Sequence, residues 1–119
     1  MAAIRGAITV ENDTKKEVLE ATCELLEQII KLNNLEIEDI EAITFTATSD
    51  ITSVYPAVAA RKLGITSAAL MCVQEMYVEG SLRKCIRLML QVCTNMKQKD
   101  VKHVYLKGAS VLRPDLSNN

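Results

Sequence analysis

A chain of 119 residues, 49% hydrophobic and 24% charged, with a formal net charge of −1, has the makeup of one globular domain spanning 1–119. No apolar run approaches the roughly 18 residues of a membrane span, and the N-terminus has no signal-peptide core, so a soluble cytoplasmic protein is expected. With no basic excess and no aromatic RNA-binding motif, nucleic acid is an unfavourable partner.

Residues 3–11, AIRGAITVE, form a short β-prone run with Arg5 inside it. Residues 12–34 read as one amphipathic helix. Thr14 and Glu17 make a Thr-x-x-Glu capping box, and Val18, Leu19, Thr22, Leu25, Leu26, Ile29 and Ile30 recur at helical spacing until Asn33 and Asn34 end it. Residues 42–50 alternate Ile43, Phe45 and Ala47 against Thr44, Thr46 and Thr48, a strand signature. In SVYPAVAARKLG (53–64), Pro56 suits a first helical position and Gly64 a C-terminal cap, which predicts a short helix. TSAALMCV (66–73) reads as a buried strand.

The next stretch, CVQEMYVEGSLRKCIRLMLQV (72–92), fits a helix or a strand; Ile86, Leu88, Leu90 and Val92 at period two favour the strand. Residues 102–116 begin with strand alternation and stop at Arg113–Pro114, where a residue before proline leaves the helical region. Ser117 to Asn119 are expected to fray. The result is an α/β-type chain of about five strands, one long helix and one short one.

The chemistry on offer is sparse. Aromatics amount to 3% (Phe45, Tyr55, Tyr77 and Tyr105), leaving Val, Ile, Leu, Ala and Met to build the core. Cys23, Cys72, Cys85 and Cys93 contain no CxxC pair, and the lone His103 is distant from all of them, so mostly buried free thiols are expected rather than zinc. No GxSxG is present, and glycines 6, 64, 80 and 108 are isolated, which excludes a phosphate loop. Residues 11–41 hold ten acids against three bases, and residues 61–113 ten bases against three acids. Solvated surface accounts for most of these charges. Arg5, Arg61, Arg87 and Arg113, however, each lie in or beside an apolar β-type stretch. Any one alone fits the wet face of a strand; together they point to carboxylate recognition, because a guanidinium binds a carboxylate through two parallel hydrogen bonds. Glu75 taken alone fits a strand-end surface acid.

Four stretches, IRGAITVEND (4–13), YPAVAARKLG (55–64), CVQEM running into LRKCIRLML (72–90), and HVYL…VLRPDL (103–116), together resemble the small monofunctional chorismate mutases of the AroH type. The resemblance implies an α+β fold in which a mixed sheet of about five strands packs on one long helix. It also implies a trimeric pseudo-barrel with sites in the clefts between subunits. The implied reaction is the concerted rearrangement of chorismate to prephenate, which needs no nucleophile, proton transfer, metal or cofactor. By the same resemblance Arg87 faces the ether oxygen, Glu75 takes the substrate hydroxyl and balances charge on the ring fragment, Arg5 pairs with a carboxylate, and Tyr105 donates its hydroxyl. Arg61 and Arg113 match arginines at the pocket mouth and C-terminal end. Met71, Cys72, Val73 and Gln74 match a strand-end wall, and Tyr55, Ala57 and Leu112 add apolar contacts. Tyr55, Val58 and Met71 depart from the family pattern, in which phenylalanine, lysine and threonine are familiar. Two alternatives are a trimeric imine deaminase on a related fold and a non-catalytic module binding a small dicarboxylate.

Overall fold

The computed structural model describes residues 1–112; Arg113, the proline that follows it and the end expected to fray lie outside the described residues. Strands β1 (Ala2–Thr9), β2 (Ile40–Ala47), β3 (Ala69–Gln74), β4 (Cys85–Val92) and β5 (Val104–Leu106) form one sheet in the order β3-β2-β4-β1-β5. Central β4 runs antiparallel to β1 and β2, whereas β5 joins β1 and β3 joins β2 in parallel. The sheet is therefore mixed, as expected. Helix α1 (Lys15–Leu32) and the short α2 (Ala57–Lys62) cover one face.

Helix α1 starts where its sequence says. The Thr14 hydroxyl accepts the Glu17 N–H at 3.1 Å. The Glu17 carboxylate, however, reaches past Thr14 and accepts the N–H groups of Glu11 (2.7 Å) and Asn12 (3.1 Å), so the box closes on the chain entering the helix. At the other end Asn33 is the C-cap, and its buried side chain donates to the carbonyls of Ile29 and Lys102, both at 3.0 Å. Val18, Leu25, Leu26 and Ile29 are fully buried and meet Ile4, Ile8, Phe45, Ile86 and Leu90 in the main core. Gly6 makes this close approach possible. A Cβ there would lie 2.8 Å from Ile29 Cδ1, 3.1 Å from Leu25 Cδ1 and 3.2 Å from the Val104 carbonyl oxygen.

Three expectations need correction. TSAALMCV does form a strand, but β3 is an edge strand, with Met71 60% and Val73 42% exposed. A continuous apolar run reads as buried on both faces, but in β3 only Leu70 and Cys72 pack on the core, and nothing in a single chain covers the Met71 and Val73 face. The strand expected from residue 102 lasts only from Val104 to Leu106; Lys107, at φ +54, turns the chain into a 3₁₀ segment, Lys107–Leu112. The thiols are free but not mostly buried: only Cys85 is, while Cys23 and Cys72 are half-buried and Cys93 is exposed.

Alternation along the strands sorts the side chains. Ile86, Leu88, Leu90 and Val92 face α1. Cys85, Arg87, Met89 and Gln91 face away, onto a surface with a second, small cluster of Ala7, Cys85, Tyr105 and Ala109.

Replacing Gly6 by Ala is expected to cost about 1–3 kcal/mol in a denaturant melt, the usual penalty of overpacking, because Leu25 and Ile29 are fully enclosed and the Val104 carbonyl is backbone. A second expectation concerns acid. Hydrogen bonds from the Ser53 side chain and Thr52 backbone hold the Asp13 carboxyl below its ordinary value of 3.8. Those from the Asn12 and Glu11 backbones hold Glu17 below 4.5. A depressed folded-state pKa contributes stability that is present above the unfolded value and lost as pH falls through the folded one. The denaturant midpoint should thus decline below about pH 4.5, and Asp13→Asn with Glu17→Gln should flatten that decline.

Candidate active site

One rung of the sheet crosses all five strands on the face away from α1. In order it comprises Val73, Thr46, Arg87, Ala7 and Tyr105. The next rung carries Met71, Thr44, Met89 and Arg5. Arg87 is therefore centred by antiparallel pairing on both sides, with the small Ala7 leaving room between it and Tyr105.

Glu75 joins this rung from the end of β3. Its backbone N–H donates to the Ala47 carbonyl at 2.9 Å, extending the parallel ladder by one bond. The Thr46 hydroxyl donates to Glu75 Oε1, and Arg87 Nε lies 3.6 Å from the same oxygen. The two charged side chains are only 25% and 23% exposed, so their attraction is screened less than that of a surface pair. Both contacts use the same carboxylate oxygen, Oε1.

Beneath the pair, burial pushes the Cys85 thiol up, while the Arg87 guanidinium pulls the other way. The Tyr105 hydroxyl is buried and, among the described residues, has no hydrogen-bond partner; neither has Arg87 Nε. Leu82 and Leu112 pack against the Tyr105 cluster. Two cavities adjoin. One of about 310 Å³ is lined by Glu75, Asp50, Tyr77 and Arg83 among others, and one of about 630 Å³ by Tyr55, Cys72, Val73 and Gln74. No group of three or more His, Cys, Asp or Glu among the described residues could hold a metal ion. A fixed guanidinium, a carboxylate and a phenol converging on one apolar-walled face can recognise an anion and meet charge that develops on a bound oxygen.

The family described as chorismate mutase type I matches residues 1–116. The chain belongs to that family. Chorismate mutase AroH of Bacillus subtilis (strain 168) is 49% identical over 115 residues, 96% of this chain and 91% of that one. Chorismate mutase AroH of Thermus thermophilus is 44% identical over 116 residues, 97% of this chain and 95% of that one. A solved chorismate mutase from Clostridium thermocellum superposes with a TM-score of 0.90 at 51% identity, over 92% of this chain and 97% of the other.

Of the residues that the family resemblance singled out, Glu75, Arg87, Tyr105 and Leu112 come together. Arg5, Met71 and Val73 share their face and are exposed there. Cys72 packs instead on the main core, and with Gln74 it reaches the second cavity. Tyr55, Ala57 and Arg61 are not part of the Arg87 cluster within one chain. Tyr55 is 71% exposed beside the second cavity, Ala57 is buried in the core, and Arg61 is an exposed residue of α2. Arg113 lies outside the described residues.

Thr46 went unnoticed as a functional position, although the alternation in residues 42–50 already set it on the face opposite Phe45. Period-two alternation along β4 puts Cys85 on the same face as Arg87. No helix among the described residues is long and apolar enough to cross a membrane.

Proposed function

We propose that this family member, acting as a single cytoplasmic domain, converts chorismate to prephenate at a site centred on Arg87 and Glu75 and completed by a second copy of the chain in a trimer. The observation that carries the reading is the Glu75–Arg87 pair, fixed by Thr46 on a rung that also bears Tyr105. In the rearrangement one C–O bond breaks and one C–C bond forms within a single molecule. No proton or electron is exchanged, so the task is to hold a reactive conformer and stabilise charge. Arg87 meets the ether oxygen as the C–O bond breaks, an interaction stronger in the transition state than in the ground state. Oε2 of Glu75 accepts the substrate hydroxyl while Oε1 holds the guanidinium. Arg5 pairs with a carboxylate, and the Tyr105 hydroxyl donates to the substrate. Met71, Val73 and Leu112 wall the site, Cys72 and Gln74 border the adjoining cavity, and the family resemblance adds Arg113.

The case for a second copy is spatial. The Arg87 face exposes Met71, Val73 and Met89 (44% exposed) around its charged centre. Exposed apolar surface of this kind on a sheet face marks an interaction site. Tyr55 and Arg61 are exposed on a different part of the chain and reach Arg87 only from a neighbouring subunit, whereas Ala57 is buried in its own chain's core. A lysine at the Val58 position would have added a cation near that mouth, and Val58 supplies none.

The purified chain should consume chorismate, followed by loss of its ultraviolet absorbance, with prephenate identified after acid conversion to phenylpyruvate. Arg87→Ala should lower kcat by about 10²–10³-fold, the effect of removing a preorganised donor to a developing oxyanion. Wild-type turnover in that variant would remove Arg87 from the chemistry. Mixing inactive Arg87→Ala and Arg61→Ala chains, unfolding them and refolding them together should restore activity, because hybrid trimers regain sites with both arginines. No recovery in mixed trimers would show that each chain supplies its own.

A further inference from the structure

The segment between Glu75 and β4 closes on a polar knot that the chemistry above does not use. Lys84, the last residue before β4, has φ +47, a left-handed conformation that lysine seldom adopts. Its N–H donates to both oxygens of Asp50, at 3.0 and 3.1 Å, and its carbonyl accepts the Val10 N–H at 2.9 Å. Oδ1 of Asp50 also accepts the Thr48 hydroxyl at 2.5 Å. Thr48 in turn accepts the Cys85 N–H on its hydroxyl oxygen at 3.0 Å and donates its own N–H to the Cys85 carbonyl at 3.1 Å. Every backbone donor and acceptor of residues 84 and 85 is thereby engaged, most of them by Asp50 and Thr48. Arg87 follows two residues later, on the same face as Cys85.

We propose that Asp50 is a positioning residue for Arg87: through the Lys84 N–H and the Thr48 hydroxyl it holds the left-handed turn from which β4 enters the sheet, and so fixes the guanidinium against Glu75. This inference rests on the function proposed above. The two ends of the 75–84 segment are anchored independently. Glu75 is held by Ala47 and Thr46, and the Lys84 end by Asp50. Loosening the second anchor therefore shifts Arg87 relative to Glu75 and leaves Arg5, on β1, in place. The loss falls on the step that develops charge rather than on capture of the dianion. A carboxylate suits the task because it accepts several donors at once, whereas an Asn side chain has a single acceptor oxygen.

The test compares steady-state chorismate turnover in wild type, Asp50→Asn, Thr48→Val, Lys84→Gly and Asp50→Asn/Lys84→Gly. Asp50→Asn and Thr48→Val should lower kcat by about 10- to 100-fold, the scale of a sub-ångström to 1 Å misplacement, with KM within about threefold of wild type. Lys84→Gly should keep wild-type turnover, and adding it to Asp50→Asn should recover most of kcat, since glycine adopts the left-handed turn unaided. A simple loss of folded protein would also lower apparent kcat at unchanged KM, so turnover is expressed per folded chain, the folded fraction being read from the circular dichroism signal. If Asp50→Asn does not fold, Thr48→Val carries the test. Turnover in wild type with unchanged kcat in the folded variants, or a parallel loss without glycine rescue, overturns this inference alone. No turnover in wild type overturns the underlying reading, and this one with it.

Discussion

Strand β4 pairs with β2 on one side and β1 on the other, and every group at the candidate site takes its position from that central register. A slip of one residue would exchange its two faces, sending Arg87 into the core beneath α1 and bringing Leu88 to the site. An unpaired guanidinium buried among Ile4, Ile8 and Phe45 would cost several kcal/mol, so the alternative register is strongly disfavoured. The apolar side of β4 thus enforces the placement of its polar side. Core packing and site geometry are two consequences of one alternation.

The chain builds its site from a permanently charged group rather than a tuned one. Arginine remains protonated across the biological range, and its planar fork needs only orientation. The protein accordingly invests in orientation: a ladder on both sides of Arg87, a carboxylate at 3.6 Å, and a hydroxyl that keeps that carboxylate from swinging away. The group whose pKa moves most visibly nearby, the Cys85 thiol, is pushed toward its neutral form by burial and acts as packing. Such an arrangement suits a reaction in which nothing is protonated or transferred.

Much of this was legible in the sequence, and the rest failed for identifiable reasons. The Thr14 cap, the stripe from Val18 to Ile29 and the alternation of β2 and β4 are local signals, and all three reappear at the expected positions. What misled was context. Residues 66–73 are as apolar as a buried strand, yet β3 stands at an edge, because apolarity reports that a surface will be covered without naming the cover. Residues 107–112 continue an apolar pattern, but a left-handed Lys107 redirects the backbone into a 3₁₀ turn. The Glu75–Arg87 pair is invisible as a pair in the sequence, since twelve positions separate its members and only the β2–β3 and β2–β4 ladders together bring them near. Motif resemblance bridged that gap where spacing could not.

The cysteines have a practical consequence. Cys85 and Cys93 stand at and just past the two ends of β4, about 25 Å apart at the rise of an extended chain, and they differ sharply in access: one is buried with a raised pKa, the other exposed. A maleimide dye added under mild conditions would therefore react first at Cys93, more slowly at the half-buried Cys23 and Cys72, and leave Cys85 alone. The strand that carries Arg87 thus comes with its own spectroscopic attachment point, on native sequence and six residues beyond the guanidinium.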